Sequence, residues 1–506
     1  MGRSTISLNR CLFSWNAGIL VLLIAAILGL PAVANCDSLA DAVEARSLDR
    51  TAELLSGQID VNAPQVDGMT ALHWAAHHDD WELGKRLLDL GANASAENRY
   101  GITPLYLACV NGSANLVRAL LESGADPNTT IRGDETVLLT AARTGDIGAV
   151  DSLIKAGAEV DAKQRNGQTA AMWAAAEGHS EVIQALLSAG ADFETPLKRS
   201  GFTPFFFAIR EGKYEVVRIL LDAGADINGV MSPARSSGRL PKKGTSPLLL
   251  AVDNGHYDLA IKLLDAGADP NDDRSGFTAL HALAGIRKPD IGESSAGDPI
   301  PQGSGRRDSM QFVREIVERG ANVNARIKKG RRAGKGHVSV VGATPFFLAA
   351  DRADLAYMKL LVVLGADPLI VNEDGTTALL VASGIGSTAP EEEAGSEAEC
   401  LATVKYLVSL GADINTVDAN GETAMHGAAY KNIPSMANYL HGLGADIKLW
   451  NTRNALGWTP LLIAEGYRPG NFKPSFATVD AITVAMQANG VKPPIGPKPK
   501  HTNFAD

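Results

Sequence analysis

Cysteine is nearly absent from this chain: four occur in 506 residues. Only Cys36, Cys109 and Cys400 lie beyond residue 34, an odd, scattered set that excludes a disulfide framework. Cys109 falls among small apolar residues, and buried packing is its expected role. Also missing are a Cys-x-x-Cys-His haem site and a Gly-x-Ser-x-Gly nucleophile elbow. Gly330 to Gly336 carries Gly-x-x-x-Gly-Lys, one residue short of a phosphate loop, and Gly336 stands where that loop needs Ser or Thr. Nucleotide binding is rejected on that ground. A positive charge balance is lacking too. Without residues 1–34 the chain has 45 basic against 57 acidic residues, a net charge of about −12. That balance favours solubility and argues against general nucleic-acid binding.

Long apolar runs are equally scarce. The exception is Ala17 to Leu30, preceded by Arg3 and Arg10 and followed by Ala32-Val33-Ala34. A basic start, a short apolar core and small residues at the end read as a secretory signal, residues 1–34. The run is short for a span, which needs about 20 residues. Cleavage and export to a periplasmic or extracellular location are expected. The alternatives are an uncleaved anchor that tethers the chain to a membrane, and lipidation at Cys36, which Asn35 disfavours. No span is expected after cleavage.

What the chain has in abundance is repetition. Thr70, Thr103, Thr136 and Thr169 stand 33 residues apart, and the phrase they open returns at Thr203, Ser246, Thr278, Thr344, Thr377, Thr423 and Thr459. A period of this size marks a solenoid whose units bury their apolar faces on one another. In the unit 103–135, Thr103 is placed as an N-cap and Pro104 at the first helical position, where a missing N–H costs nothing. Leu105, Ala108 and Cys109 make one face of a short helix, and Gly112 ends it. Leu116, Val117, Leu120 and Leu121 form the stripe of a second helix. Gly124 takes its left-handed end, and Asp126-Pro127-Asn128 turns the chain onward.

These residues resemble the ankyrin repeat, with its Thr-Pro-Leu-His opening, helix–turn–helix and β-hairpin. The resemblance covers about residues 37 to 490 and implies an all-α ankyrin-repeat solenoid of about eleven units. His keeps the fourth signature position only at His73, His281 and His426. Tyr106, Leu139, Met172, Phe206 and Phe347 replace it elsewhere, which puts the usual histidine network of those units in doubt.

Residues 35–66 read as an N-terminal capping unit, with helices at Ser38–Ala45 and Leu48–Ser56. The array runs over 67–490, closed by a helix at Ala477–Ala488, and 491–506 read as a disordered, Pro/Lys-rich tail. Counting from each glycine to the next opening residue gives 12 in a standard unit, 22 from Gly224 to Ser246 and 24 from Gly320 to Thr344. Extra residues therefore fall in hairpins near 230–244 and 327–342. From Thr278 to Gly320 and from Thr377 to Gly411 the counts are 42 and 34 against 21. Those extras, near 286–308 and 384–398, lie between helices.

The resemblance implies non-enzymatic protein binding on the concave side, where hairpins and first helices point. Candidate partner-binding positions at the hairpin tips are Met69, Ile102, Glu135, Gln168, Phe202, Phe277 and Trp458. Those after the Ala-Ala step are His77, His78, Asn111, Arg143, Glu177, Arg210, Glu211, Asp253, Arg352, Tyr430 and Lys431. Local hairpin packing is the competing role for each. A second function would use the basic hairpin formed by Arg326, Lys328, Lys329, Arg331, Arg332 and Lys335 to hold an anion: an acidic protein, a phospholipid or a polysaccharide. A remote third is a metal-dependent enzyme at His73, His77 and His78, with no third fixed ligand evident. No cofactor is expected, and the expected state is a monomer with a protein partner. Asn93, Asn111 and Asn128 also fit glycosylation acceptors.

Overall fold

The computed structural model describes residues 38–234, 242–291, 301–330, 338–390, 392–468 and 473–492. The expected signal segment, residues 1–34, lies outside this set, as does almost all of the 491–506 tail. Two compact bodies divide the chain, Met1–Glu159 and Val160–Asp506.

Both bodies are stacks of helix pairs. In the first, Leu39–Glu44 and Leu48–Ser56 precede the pairs Ala71–His77/Trp81–Asp89, Pro104–Asn111/Ala114–Glu122 and Val137–Thr144/Ile147–Lys155. The second begins with Ala170–Glu177/Ser180–Ser188, Pro204–Arg210/Tyr214–Asp222 and Pro247–Asp253/Tyr257–Asp265. It continues with Ala279–Arg287/Ser309–Glu318, Pro345–Asp351/Leu355–Val363, Ala378–Ser383/Glu397–Ser409 and Ala424–Tyr430/Pro434–Gly442. Short helices Ile447–Trp450 and Pro460–Ala464 lead to a last one at Phe476–Ala488. No described helix is long and apolar enough to cross a membrane.

Each pair starts the same way for the same reason. The hydroxyl of Thr103 accepts the Tyr106 N–H at 3.2 Å, that of Thr136 the Leu139 N–H at 3.2 Å, and that of Thr344 the Phe347 N–H at 3.1 Å. The cap therefore survives whichever residue fills the fourth signature position. Histidine adds a tie to the next repeat: His73 Nε2 lies 3.0 Å from the Ile102 carbonyl and His281 Nε2 3.2 Å from that of Ala343. Small residues of the first helices, among them Ala75, Ala108, Ala141, Ala174, Ala208 and Ala349, are fully buried, so neighbouring helices approach closely. Cys109 is buried in this layer and Cys400 in a second helix, Glu397–Ser409, and burial pushes both thiols up.

The β-hairpins are thinner than the sequence pattern suggests. Among the described residues only Thr130–Ile131 and Glu135–Thr136 pair as strands, β1 and β2. Elsewhere a side chain takes over the turn: Asn98 Oδ1 accepts the N–H groups of Tyr100 and Ile102 at 2.9 and 3.0 Å. Asn372, Asp418 and Asn454 do the same in their turns.

A ladder of asparagines joins successive turns within each body. Asn271 Nδ2 donates to the Gly320 carbonyl at 2.9 Å while its Oδ1 accepts the Asn322 N–H at 2.7 Å. Asn62, Asn128, Asn228 and Asn324 make the same pair of bonds. The Gly-Ala-Asp-x-Asn step thus satisfies a carbonyl left open by the helix end of the following unit.

The extra residues of the two enlarged turns are closed alike. Met231 and Thr245 exchange bonds through Met231 N–H and, one residue earlier on the far side, Gly244 N–H; Ile327, Ala343 and Gly342 repeat this arrangement. The two segments between helices behave differently and bond to each other: Ile291 N–H donates to the Glu392 carbonyl at 2.7 Å and Ala394 N–H to Asp290 at 3.1 Å.

Candidate binding surface

The first helix of most repeats ends with two residues seven and eight positions after the opening Thr or Ser, and in most of them at least one is exposed or half-buried. In the N-terminal body these are His77/His78, Val110/Asn111 and Arg143/Thr144. In the C-terminal body they include Ala176/Glu177, Arg210/Glu211, Asp253/Asn254, Asp351/Arg352 and Tyr430/Lys431.

The eighth position has a structural use that the sequence pattern hides. Asn111 Nδ2 donates to the carbonyls of Ala76 and His77 at 2.8 and 2.9 Å, and the Thr144 hydroxyl to that of Cys109 at 3.2 Å. Arg352 Nη1 donates to the Lys288 carbonyl at 2.8 Å, and Lys431 Nζ to that of Ala394 at 2.7 Å. Helix C-termini leave carbonyls without partners, and Asn111, Thr144 and Arg352 supply donors to them from the next repeat, while Lys431 serves a carbonyl of the segment before the helix Glu397–Ser409. Asn111, Arg352 and Lys431 are therefore ties between segments first and contact residues second. The amide nitrogens of Asn111 and Asn128 are engaged in the same way, which removes them as open acceptor sites for a glycan.

Several expected anchors are buried, a correction to the reading that a stack leaves them outside. Met69, Phe202 and Trp458 are 8%, 4% and 7% exposed, because the turn folds back over its own repeat. Phe202 packs on Phe207 at 4.9 Å with Arg210 over both rings. Tyr430 is buried with its hydroxyl donating to Glu422 at 3.0 Å, and Lys431 is buried beside it. Ile102, Gln168 and Phe277 are half-buried, the last with the Lys242 ammonium over its ring at 4.5 Å. Glu135 and Arg143 form an ion pair at 3.1 Å, and Arg210 pairs with Glu211 at 2.7 Å. His77, Glu177 and Asp253 are exposed. The protein packed around Asp253 pushes its carboxyl up to about 7 against the pull of Lys242. The pattern missed Tyr100 and Val110, 62% and 41% exposed; aromatic or apolar character at a tip or seventh position was the available signal.

His73 and His78 are both committed. His73 is fully buried; its Nδ1 accepts the Thr70 N–H at 3.2 Å, so its Nε2–H donates to Ile102. His78 Nδ1 accepts from Arg46 at 3.0 Å, and its Nε2–H donates to the Glu44 carbonyl at 3.2 Å. Neither ring keeps a lone pair for a metal without losing these bonds. Burial holds both imidazoles below their ordinary range. Among the described residues no three His, Cys, Asp or Glu side chains are grouped to hold a metal ion.

The basic hairpin is only partly described: Arg331, Arg332 and Lys335 lie outside the described residues. Arg326 is spent on the carbonyls of Gly342 and Val371 at 3.1 and 2.7 Å. Lys328 pairs with Asp273 at 2.7 Å, and Lys329 is exposed.

Family models for ankyrin repeats match residues 39–131, 138–230, 243–274 and 393–441. With the repeated helix pairs, these matches show that the chain belongs to the ankyrin-repeat family, whose members are generally protein-interaction scaffolds. No curated protein matches it. The crystal structure of the human ASB11 ankyrin repeat domain is similar at 21% identity and a TM-score of 0.39, over 53% of this chain and 100% of that chain.

Proposed function

We propose that this protein is an exported, non-enzymatic scaffold that binds a protein partner through the row of first-helix ends and turn tips. The observation that carries the reading is the contrast within each repeat. The buried layer repeats small and apolar residues, whereas the seventh position runs through His77, Val110 and Arg143 in one body and Arg210, Asp253 and Asp351 in the other. Within each body such a row offers a different chemistry at every step of the stack. Ankyrin-family membership supports protein rather than small-molecule recognition as the main activity. The partner meets a monomer outside the cytoplasm.

A pull-down with residues 35–506 from envelope and secreted fractions tests this, washed at low and at high salt. The wild type is expected to retain a partner in high salt, and a variant with Glu177→Lys and Asp253→Lys to lose it while keeping its helical circular dichroism. Capture by both proteins alike, or by neither, defeats the proposal. Loss of the partner in high salt, together with loss in Lys328→Glu/Lys329→Glu, would move the activity to the basic hairpin and its anionic partner.

A further inference from the structure

In a stack of repeats each unit ordinarily gains stability only from its two neighbours. The asparagine ladder and the side-chain ties between helix ends keep to that rule. The repeat opened by Thr278 does not. Two stretches of its extra residues, 288–291 after the helix Ala279–Arg287 and 301–307 before Ser309–Glu318, each reach a repeat beyond the neighbour.

Toward the C-terminus, 288–291 passes the repeat opened by Thr344 and joins the one opened by Thr377. Ile291 N–H donates to the Glu392 carbonyl, Ala394 N–H to Asp290, and Lys288 Nζ pairs with Glu399 at 2.7 Å. The repeat passed over is held as well: Arg352 Nη1 donates to the Lys288 carbonyl, and Lys288 Nζ to that of Ala353 at 3.2 Å. Toward the N-terminus, 301–307 lies on the repeats opened by Ser246 and Thr203. Ser304 N–H donates to His256 Nδ1 at 2.8 Å, so the opposite Nε2–H donates to the Arg210 carbonyl at 2.8 Å, one repeat further back. Arg306 N–H donates to Asp258 at 2.6 Å, and Arg307 pairs with Asp258 and Glu315. Glycines shape the seat. A β-carbon on Gly303 would overlap the Gly255 carbonyl, and one on Gly212 would overlap Ser304 Oγ and the His256 ring. His256 is only 7% exposed beneath this segment.

We propose that the repeat opened by Thr278 clamps five repeats, those opened by Thr203, Ser246, Thr278, Thr344 and Thr377, into one cooperative block. Bonds that skip a repeat add a coupling that nearest-neighbour stacking lacks, so an enclosed repeat cannot open singly without breaking them. The helix Pro345–Asp351 lies between two repeats that are joined to each other, and it opens only with them. The block also fixes the spacing of Arg210, Asp253 and Arg352 before a partner arrives, which lowers the ordering cost of binding. That last consequence rests on the scaffold reading; the coupling does not.

Native-state hydrogen exchange of the full chain in rising denaturant tests this. In the wild type, the most protected amides of Pro204–Arg210, Tyr257–Asp265, Ala279–Arg287, Pro345–Asp351 and Glu397–Ser409 should share one opening free energy and one denaturant slope. Two substitutions release the C-terminal side without touching a bond between neighbours. Ile291→Pro removes the donor to Glu392, and Glu399→Gln removes the ion pair yet keeps a side-chain oxygen for the Ser396 N–H. Together they should speed exchange in Pro345–Asp351 and Glu397–Ser409 about tenfold or more, roughly fivefold for each bond lost. On the other side, Gly303→Ala should speed exchange of the Ser304 and Arg306 amides by about tenfold or more and detach Pro204–Arg210 from the shared opening. Ala170–Glu177, outside the block, should change less than about twofold in every variant. Wild-type opening energies that differ from repeat to repeat overturn the proposal. So does acceleration below about twofold in Pro345–Asp351, or equal acceleration in Ala170–Glu177. A failed pull-down leaves the coupling standing and overturns only the scaffold reading.

Discussion

Arg287 and Asp354 offer a test of how two repeats are locked together. Arg287 ends the first helix of one repeat; Asp354 begins the second helix of the next. Their side chains, 16% and 9% exposed, meet with Nε at 2.8 Å and Nη2 at 3.3 Å from the carboxylate. Asp354 Oδ1 also caps its helix by accepting the Tyr357 N–H at 3.0 Å, and Tyr357 donates its hydroxyl to Leu280 at 2.7 Å. Removing one partner of a buried pair strands the other charge and costs about 3–5 kcal/mol. Losing an N-cap costs about 1 kcal/mol. Asp354→Ala suffers both losses. Asp354→Asn keeps a capping oxygen and should be milder by about 1 kcal/mol. Arg287→Met keeps the aliphatic stem and strands Asp354. The double variant Arg287→Met/Asp354→Asn strands nothing, so it should be less destabilised than the sum of the singles by about 2 kcal/mol. Repeat arrays need not unfold in one step, so a global midpoint is the wrong observable. Native-state hydrogen exchange in Ala279–Arg287 and Leu355–Val363 reads the local opening energy directly. A coupling below about 0.5 kcal/mol would refute the claim that the ion pair locks these repeats. Equal costs for Asp354→Asn and Asp354→Ala would refute the capping part.

Further expectations use the same readout. Glu422 is 6% exposed, Tyr430 and Asn454 bond its Oε1, and its Oε2 has no partner among the described residues; burial pushes its carboxyl up to about 8. The folded chain therefore keeps a proton there that the unfolded chain releases above about 4.5, and this contribution to stability is lost as pH rises through 8. His281 and His426, lowered to about 4 by burial, act oppositely and only below about 6.5. Opening of Ala424–Tyr430 should accordingly become easier from pH 6.5 to 8, by at most about 1.4 kcal/mol per pH unit, and Glu422→Gln should flatten the slope. Asp253 titrates in the same window but lies in another repeat, so local exchange separates the two. In the turn ladder, Asn271→Ala should loosen the Gly320 turn by about 1 kcal/mol. Asn271→Asp, which keeps the acceptor alone, should cost less; exchange at Asn322 decides.

Much of the fold was legible because the repeat imposes the same local solution again and again. Thr103, Pro104, Gly112 and Gly124 each have a backbone task that depends on neighbours a few residues away, and the helix pairs fall where those residues put them. Exposure was harder to read. Met69, Phe202 and Trp458 sit at turn tips, yet whether a tip folds over its own repeat depends on packing that no spacing reports. Asn111, Arg352 and Lys431 look like surface residues in sequence. Only the neighbouring segment, bringing open backbone carbonyls within reach, turns them into ties.

The sequence by itself determined the class of architecture and where the repeated helix pairs open, because capping, turn chemistry and a 33-residue period are local or nearest-neighbour properties. Tertiary structure alone decided that 288–291 and 392–394 join across an intervening helix, and that Arg287 finds Asp354 67 residues away. It also decided that Asp290 is held by Arg352 and the Ala394 N–H, 62 and 104 residues away. Those outcomes depend on which unpaired donors and acceptors meet when the stack closes, and residues far apart in the chain share no pattern that announces the meeting.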